Sequence, residues 1–247
     1  MADAGFRYVV RQPPEQALAG ARAANYGRLD VSTARRHGYS EPSQANDPIR
    51  KFVSDDPNRP YLASLSKPQQ QAYPVALFGH DDTRITIDLP DGENITTNRD
   101  GCTSDARRLL YGPDLVTWLR NQFVASNLNL EVFRRVTSDT AYLKALKDWR
   151  ACMRIHHRAF ETPEAARQAA ARSRGGNTAG STPAAAEIAI AVADAECQRV
   201  SQLVDVAERL DGRHRIGVSA DRAAEINAYH LARAKAVRRA PELLHNR

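Results

Sequence analysis

Apolar residues recur at helical spacing along much of the chain. In the stretch SDTAYLKALKDWRACMRIHH they fall at positions i, i+4, i+7 and i+11, on one face of an amphipathic helix: Tyr142, Leu146, Trp149 and Met153. Ser138 stands at the N-cap position of this helix. From Asp100 onward the pattern predicts almost only helix.

Other helices are marked by their start and stop residues. SLSKPQQQAYPVALFG has Ser66 as a cap, proline in the first turn and Gly79 at the end. LDVSTARRHGY predicts a short helix that ends at Gly38, and PPEQALAGARAANYG predicts another after its proline pair. TPEAARQAAAR begins with the Thr-Pro signature at Thr162.

The longest predicted helix starts after Thr182-Pro183, runs through AAAEIAIAVADAECQRVSQLVDVAERL and stops at Gly212. Ser219 is expected to cap a last helix that Pro241 closes. The apolar face of this last helix is thin, so we expect it to pack loosely or to extend away.

One segment has strand periodicity. Ile85, Ile87 and Leu89 alternate along RITIDLPDGENITTN, and Ile95 faces them across the Pro-Asp-Gly turn. Because an isolated hairpin is only marginally stable, this one must pack on helices. The predicted fold is therefore mainly α, with one small β-hairpin at about residues 84–98.

The second half of the chain reads like a partial copy of the first. Cys152-Met153, an aromatic residue, Thr-Pro-Glu and a helix bearing Cys197 follow one another in the second half. Met1, aromatic residues, Pro-Pro-Glu and a helix bearing Cys102 follow one another in the first half. We therefore expect two related halves, and a cysteine immediately before Met1 in an older, longer protein, as a partner for Cys102.

The expected organisation has three consecutive segments. Residues 1–137 form an N-terminal half with short helices and the hairpin, 138–211 a C-terminal helical half, and 212–247 a basic helical tail. Within the second segment, SRGGNTAGSTP has the small, flexible composition of a linker.

Composition is that of a globular protein, with 42% hydrophobic and 26% charged residues. The net charge is +6, and the tail from residue 212 holds eight Arg/Lys against three Asp/Glu, a surplus that phosphate groups would attract. No apolar run approaches the ~20 residues of a membrane-spanning helix. The N-terminal residues do not show the positively charged region and the apolar region that are typical of a signal peptide.

The cysteines allow three interpretations. Cys152 and Cys197 lie on two predicted helices that the linker allows to run antiparallel, so a disulfide between them is favoured. Two buried free thiols are the first alternative. A metal site formed by Cys152, His156 and Cys197 is the second, although the chain has no Cys-x-x-Cys motif to support it.

Several segments together resemble a family of uncharacterised secreted lipoproteins of actinobacteria. They are FRYVV, LDVSTARRHGYS, DDPNRPYLASLS, DGCTSDARRLLYG, LKALKDWRACM and AEIAIAVADAEC, in this order within residues 1–210. The resemblance implies a location outside the cytoplasm and a mostly helical fold of two repeats. The chain lacks the signal peptide and the first cysteine of the family. It also differs from the family at His157 and in having a basic tail.

No common catalytic motif is present: Gly-x-Ser-x-Gly, His-Glu-x-x-His, Gly-x-x-x-x-Gly-Lys and Gly-x-Gly-x-x-Gly are all absent. His80, Asp81 and Asp82 precede the hairpin, where an imidazole beside carboxylates is able to act as a general base or as a ligand. A helix-to-strand turn explains the same residues. At His156 and His157, the dipole of a helix C-terminus is sufficient explanation.

The sequence therefore favours a non-enzymatic binding or accessory protein of the cell envelope, with no cofactor. A peptide, a wall component or a membrane protein is the expected partner. The alternative is an intracellular enzyme or accessory factor of one pathway, derived from that family and cytoplasmic if Met1 is the true start. Nucleic-acid binding through the basic tail is a third option, and nucleic acid is not the partner we expect.

Overall fold

The computed structural model describes residues 1–12, 26–39, 48–90, 92–173 and 183–245. This part is mainly helical, with one antiparallel hairpin, as the sequence predicts. The helices are α1 (Val31–His37), α2 (Pro48–Ser54), α3 (Asn58–Ser64), α4 (Lys67–Phe78), α5 (Cys102–Tyr111), α6 (Leu115–Ser126), α7 (Leu128–Ser138), α8 (Thr140–Ile155), α9 (Pro163–Ser173), α10 (Ala185–Ser201), α11 (Leu203–Asp221) and α12 (Ala223–His245), and the strands are β1 (Arg84–Asp88) and β2 (Asn94–Asn98).

The chain forms two compact units that are discontinuous in sequence. The first contains residues 1–12, 54–131 and 218–247, and the second contains residues 13–53 and 132–217. The sequence suggested three consecutive segments instead. Long-range contacts bring the C-terminal helix to the hairpin in the first unit, and no sequence-local signal reports such contacts. The division into three consecutive segments stays a prediction.

In the first unit the hairpin packs on helices, as its size requires. Ile87 pairs with Ile95 in the register of the two strands. The buried face of β1 joins a core cluster with Leu115, Trp118 and Leu119 of α6. A core of this kind is what makes a two-stranded sheet stable.

The C-terminal helix also belongs to this core, which corrects the expectation of a loose tail. α12 packs against α6 and α5. Ala232 contacts the hairpin cluster and Ala236 is buried, whereas Val237 is exposed. Alanine lets two helix backbones approach closely, so small residues rather than a broad apolar face hold this helix.

In the second unit, α8, α9 and α10 enclose the core, and α1 packs against α10. The predicted face of α8 is confirmed, because Leu146, Trp149 and Met153 are buried and Tyr142 packs beside them. Small side chains line the other helices: Ala166, Ala170, Ala191, Ala193 and Ala195 are all buried.

Four helix boundaries follow the local signals. α1 ends at Gly38, and Gly79 caps α4 at its end. At the start of α4, the Ser66 backbone N–H donates a hydrogen bond to the side chain of Gln69, as in a capping box. At the start of α9, the Thr162 hydroxyl accepts a hydrogen bond from the Ala165 N–H.

Other predicted boundaries are wrong. Asp139, not Ser138, caps α8 by accepting a hydrogen bond from the Ala141 N–H. The long helix breaks at Gln202, which has a left-handed backbone with φ of 55°. Gly212 lies inside α11, on an exposed face where a missing side chain costs little packing.

The end of the chain also differs. Ser219 lies within α11, the break before α12 comes at Arg222, and Pro241 lies inside α12. The guanidinium of Arg222 holds the Glu131 carboxylate through two hydrogen bonds, of 3.1 and 3.0 Å. This basic residue of the predicted tail thus forms an ion pair within the first unit.

Two sequence predictions lie outside the described residues: most of the Pro-Pro helix at 13–27, and the linker-like stretch 174–182. Among the helices that are described, none combines the length and the apolar character needed to cross a membrane.

Candidate functional site

The second unit contains a disulfide between two of its core helices. Cys152 of α8 is bonded to Cys197 of α10, with the two Cα atoms 5.5 Å apart. Cys197 is fully buried and belongs to the core cluster with Trp149 and Met153. This is the pairing that the sequence favours over free thiols.

His156 lies close to the same two sulfurs, so the three residues of the metal alternative do come together. Their ligand atoms are all within 4.8 Å of one another. Zinc binds thiolates, however, and a disulfide has none to offer. In the disulfide-bonded chain Cys152 and Cys197 are therefore not metal ligands, and the His156 Nε2 instead lies 3.7 Å from a carboxylate oxygen of Glu196.

Next to the disulfide, Asp194 of α10 is the centre of a buried polar cluster. Its carboxylate accepts hydrogen bonds from the Tyr39 hydroxyl at 2.9 Å, the Trp149 indole N–H at 2.9 Å and the Gln198 amide at 3.1 Å. Asp194 has no exposed surface. Three donors satisfy the carboxylate, as a buried polar group requires.

Gln198 extends this cluster to the segment that leads into α1. Its side chain donates to the Gly27 carbonyl at 3.1 Å and accepts from the Leu29 N–H at 3.1 Å. Arg167 of α9 donates to the same Gly27 carbonyl at 2.6 Å. The guanidinium of Arg167 also lies 5.8 Å from the centre of the Tyr39 ring. Side chains of α9 and α10 thus hold the backbone that enters α1.

A second buried carboxylate holds the other end of α1. Glu187 of α10 is fully buried and accepts a hydrogen bond of 3.1 Å from the Tyr39 N–H. A side chain at Gly38 would collide with this carboxylate, since the Glu187 Oε1 would lie 2.6 Å from its Cβ. Gly38 has φ of 59° as well, so both the turn and the close approach require glycine.

The electrostatics of the cluster follow from its burial. Burial raises the pKa of Asp194, and the hydrogen bonds from Tyr39 and Trp149 oppose this effect. Burial and the neighbouring Asp194 raise the pKa of the Tyr39 hydroxyl. Because Asp194 and Glu187 have no exposed surface, neither contacts a solute in this conformation. Together with Tyr39 and Gln198, they join α1 to α10.

The sequence did not single out this cluster, although it contains a signal. Asp194 interrupts the apolar run AIAVADAEC, four positions after Ile190 and three before Cys197, on one helix face. An acidic residue on the buried face of an alanine-rich helix requires donors. Trp149 and Tyr39, each with a polar atom on a large ring, are the residue types that supply them when buried.

In the first unit, the structure holds His80 with Asp100 rather than with Asp81 or Asp82. The ring nitrogen Nδ1 of His80 is 2.5 Å from a carboxylate oxygen of Asp100. The backbone N–H of His80 donates a hydrogen bond to the other oxygen at 3.0 Å. The Thr83 hydroxyl donates to that second oxygen. Asp81 instead pairs with Arg84 at 2.6 Å. The imidazole thus contacts a residue that follows the hairpin in sequence, and not the two neighbours that the sequence suggested.

Through hydrogen bonds, Asp100 connects the loop before the hairpin to the loop after it. Its hydrogen bonds with His80 and Thr83 lower its pKa, and the hydrogen bond with Asp100 raises the pKa of His80. Gly79 and Gly101 cross at this point, so closely that a Cβ on Gly101 would lie 2.4 Å from the Gly79 nitrogen. The side chain of His80 is 64% exposed, so the pair holds the loops at the surface.

Cys102 is the remaining cysteine, and it is not disulfide-bonded. The Met1 ammonium donates a hydrogen bond of 2.8 Å to the Cys102 sulfur. Any residue attached in front of Met1 would therefore start beside this thiol. The hypothesis of a cysteine partner at that position stays a prediction, but the geometry makes it testable.

Comparisons of the chain with known protein families, with curated proteins and with solved structures find no match. The resemblance to secreted lipoproteins of actinobacteria therefore stays a prediction.

Proposed function

We propose that the chain is a non-enzymatic binding or accessory protein of the cell envelope that works outside the cytoplasm. The observation that carries the proposal is the disulfide between Cys152 and Cys197. Structural disulfides persist in oxidising compartments, whereas the reductants of the cytosol keep thiols reduced. Cys197 is fully buried and Cys152 packs against the same core cluster, so the disulfide is of the structural kind.

The polar clusters support a scaffold role rather than catalysis. Asp194 and Glu187 are enclosed and joined to Tyr39. The His80 imidazole is engaged with Asp100, which connects two loops at the base of the hairpin. Each of these titratable groups has a structural task, and a rigid scaffold of this type is suited to presenting a binding surface. The partner we propose is a peptide, a wall component or a membrane protein.

Trapping the thiols in the cells that make the protein tests its location. A maleimide reagent is applied at cell lysis under denaturing conditions, and it adds a detectable mass to each cysteine that it labels. It labels only reduced cysteines. Among the three cysteines, we expect one adduct, on Cys102, without reductant and three adducts after reduction. Three adducts without reductant would show that the protein lives in a reducing compartment and would overturn the proposal.

A matched variant identifies the adducts. The double variant Cys152→Ala/Cys197→Ala retains Cys102 and must give one adduct both with and without reductant. The single variant Cys102→Ala must give none without reductant and two after it. Any other pattern for these variants would mean that the pairing in the cell is not Cys152 with Cys197.

A further inference from the structure

Helices α5 and α12 of the first unit enclose a groove with a volume of about 470 Å³. Its floor is apolar: Leu110 and Tyr111 come from α5, and Ala228, Leu231 and Ala232 come from α12. Leu231 is 63% exposed, so a large apolar side chain stands open to solvent at the groove. The volume lies within the range of small-molecule pockets, about 300–1,000 Å³.

One end of the groove is basic. Lys235, Arg238 and Arg239 continue the face of α12 that carries Ala228 and Leu231, at helical spacing. Within the described part of the chain, none of these three cations has an ion-pair partner.

Two other basic residues of the C-terminal segment are paired. Arg215 holds Asp211 at 2.9 Å, and Arg222 holds Glu131 at 3.0 Å. Those two guanidinium groups form ion pairs within the folded chain. The charge at the end of the groove has no such task in the described structure.

The groove therefore changes character along its length. From Ala228 to Arg239 the helix advances by about 16 Å, at 1.5 Å per residue. The first part of this length presents apolar side chains and the last part presents cations. A ligand that matches both parts has an apolar body and an anionic head.

One residue of the groove lining, Tyr111, belongs to an aromatic stack. Tyr111 is stacked on Trp118, with ring centres 4.1 Å apart. The guanidinium of Arg107 lies 5.9 Å from the centre of the Trp118 ring. A stacked aromatic pair with few rotatable bonds gives a preformed apolar surface.

We infer that the groove between α5 and α12 binds a small amphiphile, in which an apolar chain lies on Leu110, Tyr111 and Leu231 and an anionic head meets Arg238 and Arg239. This inference deepens the proposed binding role by naming a ligand class, and it rests on that role. The occupant we commit to is a monomeric single-chain carboxylate. A concave groove of this volume has room for one small molecule, whereas a bilayer presents a flat surface.

Calorimetric titration of the full chain with decanoate, as dispersed monomers, tests the inference. We expect saturable binding of one decanoate per chain, and at least about tenfold weaker binding of decanol and of decyltrimethylammonium, because a charge-assisted hydrogen bond discriminates by about that factor. Equal binding of all three ligands would show that the cations play no part and would overturn the inference. Absence of saturable decanoate binding would overturn it as well.

Variants locate the site. Arg238→Ala and Arg239→Ala should each weaken decanoate binding about tenfold. Arg233→Ala is the matched control: it removes the same charge from the same helix, and Arg233 lies over Tyr229, outside the groove lining. Leu231→Glu should abolish binding, and circular dichroism should show an unchanged fold because Leu231 is largely exposed. If Arg233→Ala weakens binding as much as Arg239→Ala, the effect is one of net charge and the site is wrong.

Vesicles separate this ligand class from a membrane surface. Flotation with neutral and with anionic phospholipid vesicles, at equal lipid, should leave the protein unbound to both. Co-flotation with anionic vesicles that Arg238→Ala abolishes would replace the amphiphile by a lipid surface and overturn the inference. Thiol trapping in cells does not depend on this groove, so failure of the ligand test leaves the proposed location standing, and the reverse also holds.

Discussion

At the scale of single residues, Asp194 shows how one buried acceptor organises its surroundings. Its carboxylate is the shared partner of Tyr39, Trp149 and Gln198, which come from three different segments. Burial of the charge is unfavourable, but removal of the acceptor leaves three donors unpaired in the core. The second effect is the larger one, because each buried unpaired polar group costs about 1–3 kcal/mol.

We therefore predict that Asp194→Ala lowers the free energy of unfolding by about 3–5 kcal/mol. Urea denaturation followed by tryptophan fluorescence measures this change. Tyr39→Phe is the milder comparison, with an expected loss of about 1 kcal/mol, because it removes one donor and leaves the acceptor with two. A smaller loss for Asp194→Ala than for Tyr39→Phe would contradict the central position of the carboxylate.

The pair of His80 and Asp100 gives a prediction on pH. The pKa of His80 is raised by Asp100, so the free-energy contribution from His80 is fully present below its unfolded pKa of about 6.5 and is lost as the pH rises through the folded pKa. The pKa of Asp100 is lowered, so its contribution is present above its unfolded pKa of about 3.9 and is lost as the pH falls through the folded pKa. The pair is therefore fully formed between about pH 4 and pH 6.5.

NMR titration of the histidine ring protons tests this arrangement. We expect His80 to titrate above 6.5 in the wild-type chain, and Asp100→Asn to lower its pKa. The signal is assigned by its loss in His80→Gln. Asp81→Asn is the matched control, since Asp81 pairs with Arg84 and should leave the pKa of His80 nearly unchanged. A larger effect from Asp81→Asn would restore the grouping that the sequence suggested.

At the scale of elements, boundaries with local causes could be predicted and others could not. Ser66 and Gln69 satisfy the first turn of their own helix, and Gly38 and Gly79 end helices through their own backbone freedom. Such signals lie within four residues of the boundary that they determine. The sequence alone was therefore sufficient for these helices.

The break at Gln202 has a different origin. Here the Ser201 hydroxyl donates to the Cys197 carbonyl at 2.7 Å and accepts from the Leu203 N–H at 3.3 Å, which stabilises a left-handed residue between two helices. Leu203 and Val204 are buried on the far side of the break. Tertiary packing thus overrides the helical propensity of a continuous pattern, and single-residue signals such as Gly212 point to the wrong place.

The disulfide gives a prediction at this scale, because it ties α8 to α10. It closes a loop across a sequence separation of 45 residues, which on the chain-entropy model stabilises the fold by about 4 kcal/mol. We expect Cys152→Ala/Cys197→Ala to lose stability of that order in urea denaturation. Reduction of the wild-type chain should give a similar loss, whereas reduction of the double variant should have no effect.

The control for this prediction is Cys102→Ala. Cys102 is not disulfide-bonded, so its replacement should change the urea midpoint little, and the reductant should still destabilise that variant. If reduction leaves the unfolding of the wild-type chain unchanged, the disulfide constrains the unfolded chain far less than the loop length implies.

At the scale of the whole molecule, the hypothesis of two related halves makes a claim about chemistry. In the second unit, the cysteine directly before Met153 is bonded to a cysteine on another helix. In the first unit, the amine of Met1 lies 2.8 Å from the sulfur of Cys102, a cysteine at the start of α5. If the halves are related, the position before Met1 corresponds to that of Cys152.

We predict that a chain extended by one cysteine directly before Met1 forms a disulfide with Cys102 under oxidising conditions. The new residue would begin at an amine that already contacts the Cys102 sulfur, and a disulfide needs its two Cα atoms about 4.4–6.8 Å apart, a distance that one added residue can reach. Mass spectrometry of the unreduced, digested protein should find the cross-linked peptides. Extension by serine is the matched control, and it must leave Cys102 open to alkylation. Two alkylated thiols in the cysteine-extended chain, with the Cys152–Cys197 bond intact, would show that the first unit does not repeat the pairing of the second.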